Sequence, residues 1–183
     1  LHLAGVGSLD MMDGAPSLEL LKSAKAAGCI TTIDLIMAQP QVLDLLLPLM
    51  PYLDYFLPSI DETAALVGTT DPAACARFFI DKGAGACAIT LGSEGCFVMT
   101  RDGRQFSLPA YDVPVRDTSG CGDAYSGGFI AGLARGWDLV DCAKLASATA
   151  AIVATGLGSA ANLKSFDDTV QAMNTWSVRG QTA

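Results

Sequence analysis

The residues best able to do chemistry lie in one run, DTSGCGDAYSGG from Asp117 to Gly128. Gly120 and Gly122 flank Cys121 just ahead of a helical stretch, so several backbone N–H groups can converge on one anion while the helix dipole adds positive potential. Asp123 follows in the first turn. A carboxylate among donors that favour anions would repel a phosphate it tried to bind, but it suits a base beside a reacting hydroxyl, with the amides stabilising charge on the transferred group. On local physics alone a second reading stands level with this one. Asp123 would merely complement the helix N-terminus, and the glycines would serve packing.

Other chemistries find less support. The only histidine, His2, stands at the start, which argues against Ser-His-Asp and Cys-His hydrolases. Six scattered cysteines (Cys29, Cys75, Cys87, Cys96, Cys121, Cys142) form no C-x-x-C pair, so no zinc site is expected, and they read as buried free thiols of a cytoplasmic protein. No glycine precedes a lysine, which removes a phosphate-binding loop of the Walker type. Gly156-Leu-Gly158-Ser-Ala-Ala161 fits G-x-G-x-x-A formally, yet it follows an alanine-rich helical run where a dinucleotide fingerprint needs a strand.

The elements that must position this run can be read from periodicity. LHLAGVG, CITTIDL and YFLP are short apolar strands. Between them Leu18, Leu21 and Ala24 mark one helix closed by Gly28, and Val42, Leu45, Leu46 and Leu49 mark another broken by Pro48 and Pro51. Asp61 is a candidate cap for a helix through Val67, and a further helix runs from Pro72 to Lys82. ACAITLG, GCFVMT and QFSLPAYDV read as strands in a hairpin region. Two helices rich in Gly, Ala and Ser then follow, SGCGDAYSGGFIAGLARG and VDCAKLASATAAIVATG. Alternating strands and helices imply an α/β fold with a mostly parallel sheet covered by helices on both faces. No repeat, linker or charge block divides the chain, so residues 1–183 are expected to be one domain, fraying after Trp176.

Composition narrows the partners. The 183 residues carry 11 Lys plus Arg against 19 Asp plus Glu, a formal net charge of −8. That balance opposes broad binding to nucleic acid or anionic lipid. With 51% hydrophobic residues the chain can bury a sizeable core. Its longest uncharged stretch, Leu145 to Leu163, is too small and polar for a lipid-facing helix, so no membrane association is expected. The chain opens at Leu1 without a methionine, which suggests processing or incompleteness.

DTSGCGDAYSGGFIAGL resembles the signature of the ribokinase-like (PfkB) carbohydrate kinases, D-T-x-G-A-G-D-x-F-x-G-G-F, and the segments DYFLPSIDETAALVG and ITLGSEG precede it in the family's order. The resemblance runs from Leu1 to about Phe166 and implies a three-layer α/β/α sandwich, here without the family's N-terminal portion and lid. It implies ATP-dependent transfer of a phosphoryl group, with magnesium, to a hydroxyl of a small sugar or nucleoside-like substrate. By position Asp123 would be the base, and the amides of Gly120, Cys121 and Gly122 the anion hole. Glu62 would help organise magnesium through water, Thr90 and Gly92 would approach the nucleotide phosphates, and Ser147 and Gly158 would line the adenine pocket. Asp117 and Ser119 match positions that hold an activating monovalent cation such as potassium in several relatives, although Asp117 could equally cap the following turn.

Departures from the pattern carry their own expectations. Ser59 replaces the asparagine of N-x-x-E, which removes an amide contact and could alter the metal site, while Cys121 replaces an alanine. Asp34-Leu-Ile-Met-Ala stands where many sugar kinases read D-x-N-x-R. With the substrate-recognising portion missing, the alternative is a nucleotide-binding module or partner-dependent subunit without independent kinase activity. An edge strand left bare could pair with a second copy in a homodimer.

Overall fold

The computed structural model describes residues 1–36 and 38–180. Six strands form one sheet in the order of the chain: β1 (His2–Val6), β2 (Thr32–Leu35), β3 (Tyr55–Phe56), β4 (Ala86–Thr90), β5 (Cys96–Thr100) and β6 (Gln105–Leu108). The first three pairings are parallel, with Ile33 opposite both Leu3 and Phe56, and Cys87 opposite Phe56. The connections 91–95 and 101–104 are too short for a crossover, so β5 and β6 close the sheet as hairpins. β2 is buried along its whole length, and so are Ala86, Cys87, Ala88 and Ile89 of β4, as strands covered on both faces must be. This is the mostly parallel α/β sheet that the alternation of elements implied.

Contacts divide the chain into two compact units, Leu1–Thr90 with Phe97–Phe106, and Leu91–Cys96 with the residues from Ser107 onward. The first unit holds α1 (Ala15–Ala26), α2 (Val42–Leu46), α3 (Ile60–Val67) and α4 (Pro72–Asp81). Pro48 stops α2 after little more than a turn, and the chain continues through a 3-10 turn at Met50–Tyr52. Phe56 and Phe79 meet edge to face at 4.8 Å in the core of this unit. The cap of α3 is not Asp61. Ser59 takes that position because its hydroxyl reaches the N–H of Glu62 while Glu62 reaches back to the N–H of Ser59, and Asp61 lies within the first turn.

The second unit is helical: α5 (Cys121–Leu133), α6 (Leu139–Ala154) and α7 (Phe166–Thr175). α5 and α6 cross closely because glycines face the contact. A Cβ on Gly128 would lie 2.4 Å from Thr149 Oγ1 and 2.8 Å from Ala146 Cα, and one on Gly132 would lie 2.9 Å from Cys142 Sγ. α7 starts at Ser165, whose hydroxyl accepts from the N–H of Asp168.

Two expectations need correction here. The strand read as QFSLPAYDV ends at Leu108, since Pro109 has no N–H to continue a ladder. Residues 177–179 are held where fraying was expected after Trp176, and residues 181–183 lie outside the described residues. Asp112 N–H bonds to Ser177 O at 2.8 Å, Arg179 N–H to Ala110 O at 2.8 Å, and Tyr111 bridges Val178 in antiparallel fashion. No described helix is long and apolar enough to cross a membrane.

Candidate functional site

The run from Asp117 to Asp123 folds as a tight turn feeding α5. Gly120 is the N-cap, with φ of 75°, a left-handed conformation that favours glycine. Space adds a second requirement, because a Cβ at Gly120 would lie 2.4 Å from Ser159 Cβ. The N–H of Cys121 donates to Thr118 O at 3.2 Å and closes the turn. The N–H groups of Gly120, Gly122 and Asp123 make no hydrogen bond among the described residues, as expected at the open end of a helix. Around Gly122 nothing lies within 4 Å of where a Cβ would project. Donors, dipole and open space together fit an anionic group such as a phosphate.

Asp123, in the first turn of α5, is exposed and lines a cavity of about 500 Å³. Ala124, Gly127 and Ala131 of α5 line it, with Leu145 and Val153 of α6 and, after α6, Ser159, Lys164 and Phe166 among others. The guanidinium of Arg135 stacks 3.5 Å from the Phe166 ring centre and steadies that edge.

Asp117 sits behind the turn. One carboxylate oxygen accepts the N–H of Ser119 at 2.9 Å, and the other accepts the N–H of Gly158 at 3.0 Å. These two donors, Gly158 foremost, hold the carboxyl down at about 2. Asp117 thus performs the turn-capping role, and in addition reaches a loop remote in sequence. That loop, residues 156–162, is folded tightly on itself. Asn162 donates its amide to Thr155 Oγ1 at 2.9 Å, Ala161 N–H bonds to Gly158 O at 3.1 Å, and a Cβ at Gly156 would lie 2.5 Å from Ala161 Cβ.

Ser147 lies on α6 with its hydroxyl 3.8 Å from Cys96 Sγ. Burial pushes the Cys96 thiol above its ordinary range, against the pull of hydrogen bonds with Tyr125 and Ser147. Gly92 opens a 3-10 turn with φ of 57°. The second unit therefore gathers Asp117, Ser119, Gly120, Cys121, Gly122, Asp123 and Gly158 around one turn, while Ser147 stands apart from the turn's hydrogen bonds.

In the first unit, Glu62 and Thr90 are joined through Ser59, which bridges Thr90 in parallel fashion. The Ser59 N–H and hydroxyl donate to one Glu62 oxygen at 2.7 and 2.8 Å. Burial raises the Glu62 carboxyl, with the Ser59 bonds opposing and the charges of Asp34 and Asp61 reinforcing. Asp34, itself buried, accepts the Gly5 N–H at 2.9 Å and lies 3.3 Å from His2 Nε2, while His2 Nδ1 and the Thr32 hydroxyl are 2.8 Å apart. Reasoning from the sequence set His2 aside. Its partners lie some 30 residues away on β2, beyond any local pattern.

Among the described residues no three His, Cys, Asp or Glu side chains gather as a metal cage.

The chain belongs to the pfkB family of carbohydrate kinases, whose family model matches residues 1–165. It is similar to a deoxyribokinase of Salmonella typhi, 35% identical over 119 residues, covering 62% of this chain and 39% of that protein. A cytidine kinase of Thermococcus kodakarensis is 34% identical over 103 residues, covering 56% and 37% respectively. The chain thus spans about two fifths of the length of these curated relatives. Among solved structures, aminoimidazole riboside kinase from Salmonella enterica, complexed with aminoimidazole riboside and an ATP analogue, superposes with TM-score 0.81 at 24% identity, over 95% of this chain and 62% of that one. Arabidopsis thaliana ribokinase complexed with ribose and ATP gives TM-score 0.76 at 20% identity, over 86% and 51%. At such identities the structural likeness speaks for the ribokinase-like fold.

Proposed function

We propose that the chain carries the nucleotide-binding and catalytic part of an ATP-dependent phosphotransferase acting on a hydroxyl of a small sugar or nucleoside-like molecule. The observation that carries this reading is the placement of exposed Asp123 in the first turn of α5, beside the unpaired N–H groups of Gly120 and Gly122. Asp123 takes the proton as the acceptor oxygen bonds to the γ-phosphorus of ATP and the bond from that phosphorus to the bridging oxygen breaks, so that ADP leaves. The amides, with that of Cys121 contributing if its turn opens, take up charge on the transferred group. The protein acts chiefly by positioning, as is general for phosphoryl transfer. Magnesium, when bound, neutralises phosphate charge, and Glu62 would orient its water shell. Thr90 and Gly92 would flank the phosphates, and Ser147 and Gly158 the adenine. Asp117 and Ser119 would offer oxygens to a monovalent cation. An E. coli neighbour solved with ATP and Mg²⁺, at TM-score 0.81 and 22% identity, supports the cofactor assignment through the fold. Six free thiols, four of them buried, suit work in a reducing cytoplasm.

In the purified protein Asp123→Asn is expected to abolish nearly all sugar- or nucleoside-dependent ADP release while ADP affinity stays within a fewfold. Unchanged turnover would remove Asp123 from this role. A second reading, a nucleotide-binding module or partner-dependent subunit, is favoured by the two-fifths coverage of the relatives. Nucleotide-dependent heat stabilisation without phosphotransfer would support it, and acceptor-dependent ADP release by these 183 residues would end it.

A further inference from the structure

The cavity that Asp123 lines exists because α5 is short of side chains along one face. Ala124, Gly127 and Ala131 follow one another at spacings of three and four residues and so share that face. A Cβ on Gly127 would meet nothing within 4 Å. Leu145 and Val153 of α6, with Leu163 and Phe166, add apolar surface to the lining, and all of these residues belong to the second unit. At about 500 Å³ the space falls within the roughly 300–1,000 Å³ usual for small-molecule sites. Its hydroxyls are already engaged in part. Those of Thr149, Ser165 and Thr169 donate to Leu145 O, Asp168 Oδ2 and Ser165 O at 2.7, 2.5 and 2.9 Å. Two charged residues line the cavity, Asp123 and Lys164, and neither side chain makes an ion pair or hydrogen bond among the described residues. Lys164 has its place set by the next residue, Ser165, which caps α7.

We infer that the acceptor is a small hydroxy acid of the sugar-acid class, whose carbon chain lies in this cavity with one hydroxyl at Asp123 and its carboxylate on Lys164. The inference rests on the phosphotransferase reading above, which requires an acceptor hydroxyl beside Asp123, and adds to it the acceptor's charge. The apolar lining suits the C–H faces of a short chain or ring, and one uncommitted cation is matched by one carboxylate. A dianionic phosphate ester fits less well, since Asp123 lines the same space and the chain carries a formal charge of −8. A neutral sugar would cover the Lys164 ammonium without offering it an opposite charge. The transfer itself is unchanged. The hydroxyl's proton goes to Asp123, its oxygen bonds to the γ-phosphorus of ATP as ADP leaves, and the acceptor's carboxylate takes no part in bond making.

The test pairs each acid with its neutral counterpart, D-gluconate with D-glucose and D-ribonate with D-ribose. Calorimetric titration of the purified protein should show at least one acid binding about tenfold or more tighter than its counterpart, as expected of one charge-assisted hydrogen bond. In Lys164→Gln that preference should fall toward unity, and Lys164→Arg should keep most of it. Gly127→Leu, which fills the open space on α5, should weaken the favoured acid about tenfold or more while the melting temperature holds. No preference for either acid, a preference that survives in Lys164→Gln, or binding untouched by Gly127→Leu would each overturn the inference. ADP release tells this failure from failure of the reading beneath it. Release with a neutral sugar and with neither acid would overturn the acidic acceptor and leave the phosphotransferase standing. Lys164-dependent binding of an acid with no ADP release from any acceptor would sink the phosphotransferase and, with it, the acceptor's role, while the cavity remained a site for the acid.

Discussion

Gly127 and Gly128 are neighbours on α5, and adding one methyl group to each should move stability in opposite directions. A Cβ on Gly127 meets nothing within 4 Å, so Gly127→Ala gains helix propensity of about 1 kcal/mol and little else. A Cβ on Gly128 meets Thr149 Oγ1 at 2.4 Å, Ala146 Cα at 2.8 Å and Leu145 O at 3.0 Å. Two of those atoms are backbone. The third is fixed by the bond from Thr149 Oγ1 to Leu145 O at 2.7 Å. α5 must therefore shift bodily away from α6, at a cost of about 3 kcal/mol that the propensity gain reduces to about 2 kcal/mol. The two variants should differ by about 3 kcal/mol. In thermal unfolding of a protein of this size that is a separation of roughly 9 °C, and urea midpoints should separate in the same sense with unchanged m-values. If both alanines shift the melting temperature the same way, within about 1 °C of each other, the close α5–α6 crossing is refuted.

Further perturbations test other parts of the molecule. Ser59→Ala should cost about 1 kcal/mol in urea unfolding, because it removes the hydroxyl half of the α3 capping box and leaves Glu62 with fewer donors. Asp54 accepts from Thr31 N–H at 2.8 Å and from Lys25 Nζ at 2.6 Å. Burial opposes its charge, yet these bonds prevail and hold the carboxyl below its usual range. Its contribution is then complete above the unfolded value near pH ~4 and is lost as pH falls through the folded one. Asp54→Asn should cost about 1 kcal/mol at pH 7 after allowance for partial exposure, and the gap from wild type should close below about pH 4. Under native conditions iodoacetamide should label exposed Cys29 first, with Cys142, whose thiol burial lifts to about 11, among the last. Equal labelling of both in peptide mass spectra would contradict the packing.

The strands and most helices were legible because their signals are local. The β-branched run 31–33 with Leu35 made β2, and proline at the first helical position opened α4. Asp61 was mistaken for a cap because carboxylates favour the first turn and the cap alike. What decides is which side chain reaches the third amide, and here that is the Ser59 hydroxyl. α7 gave a local signal that went unread, a serine at 165 followed by Asp167 and Asp168. The held segment 177–179 could not be read locally, since its partners at 110–112 lie more than sixty residues back. In the candidate site the split is similar. The amides ahead of α5 follow from glycine spacing beside a helix start, whereas the reach of Asp117 to Gly158 depends on how α5 and α6 return the chain to its own turn.

The sheet also bears on how the protein is made. The spatial order of the six described strands repeats their order of synthesis, so each of β2 to β6 that leaves the ribosome finds its neighbour already laid down. The elements that follow the last strand carry Asp117, Gly120, Asp123 and Gly158. Assembly therefore runs from scaffold to chemistry. A nascent chain halted after β6 would hold these six strands yet none of the α5 turn, and on the proposed reading ATP would stabilise only chains translated through Gly158.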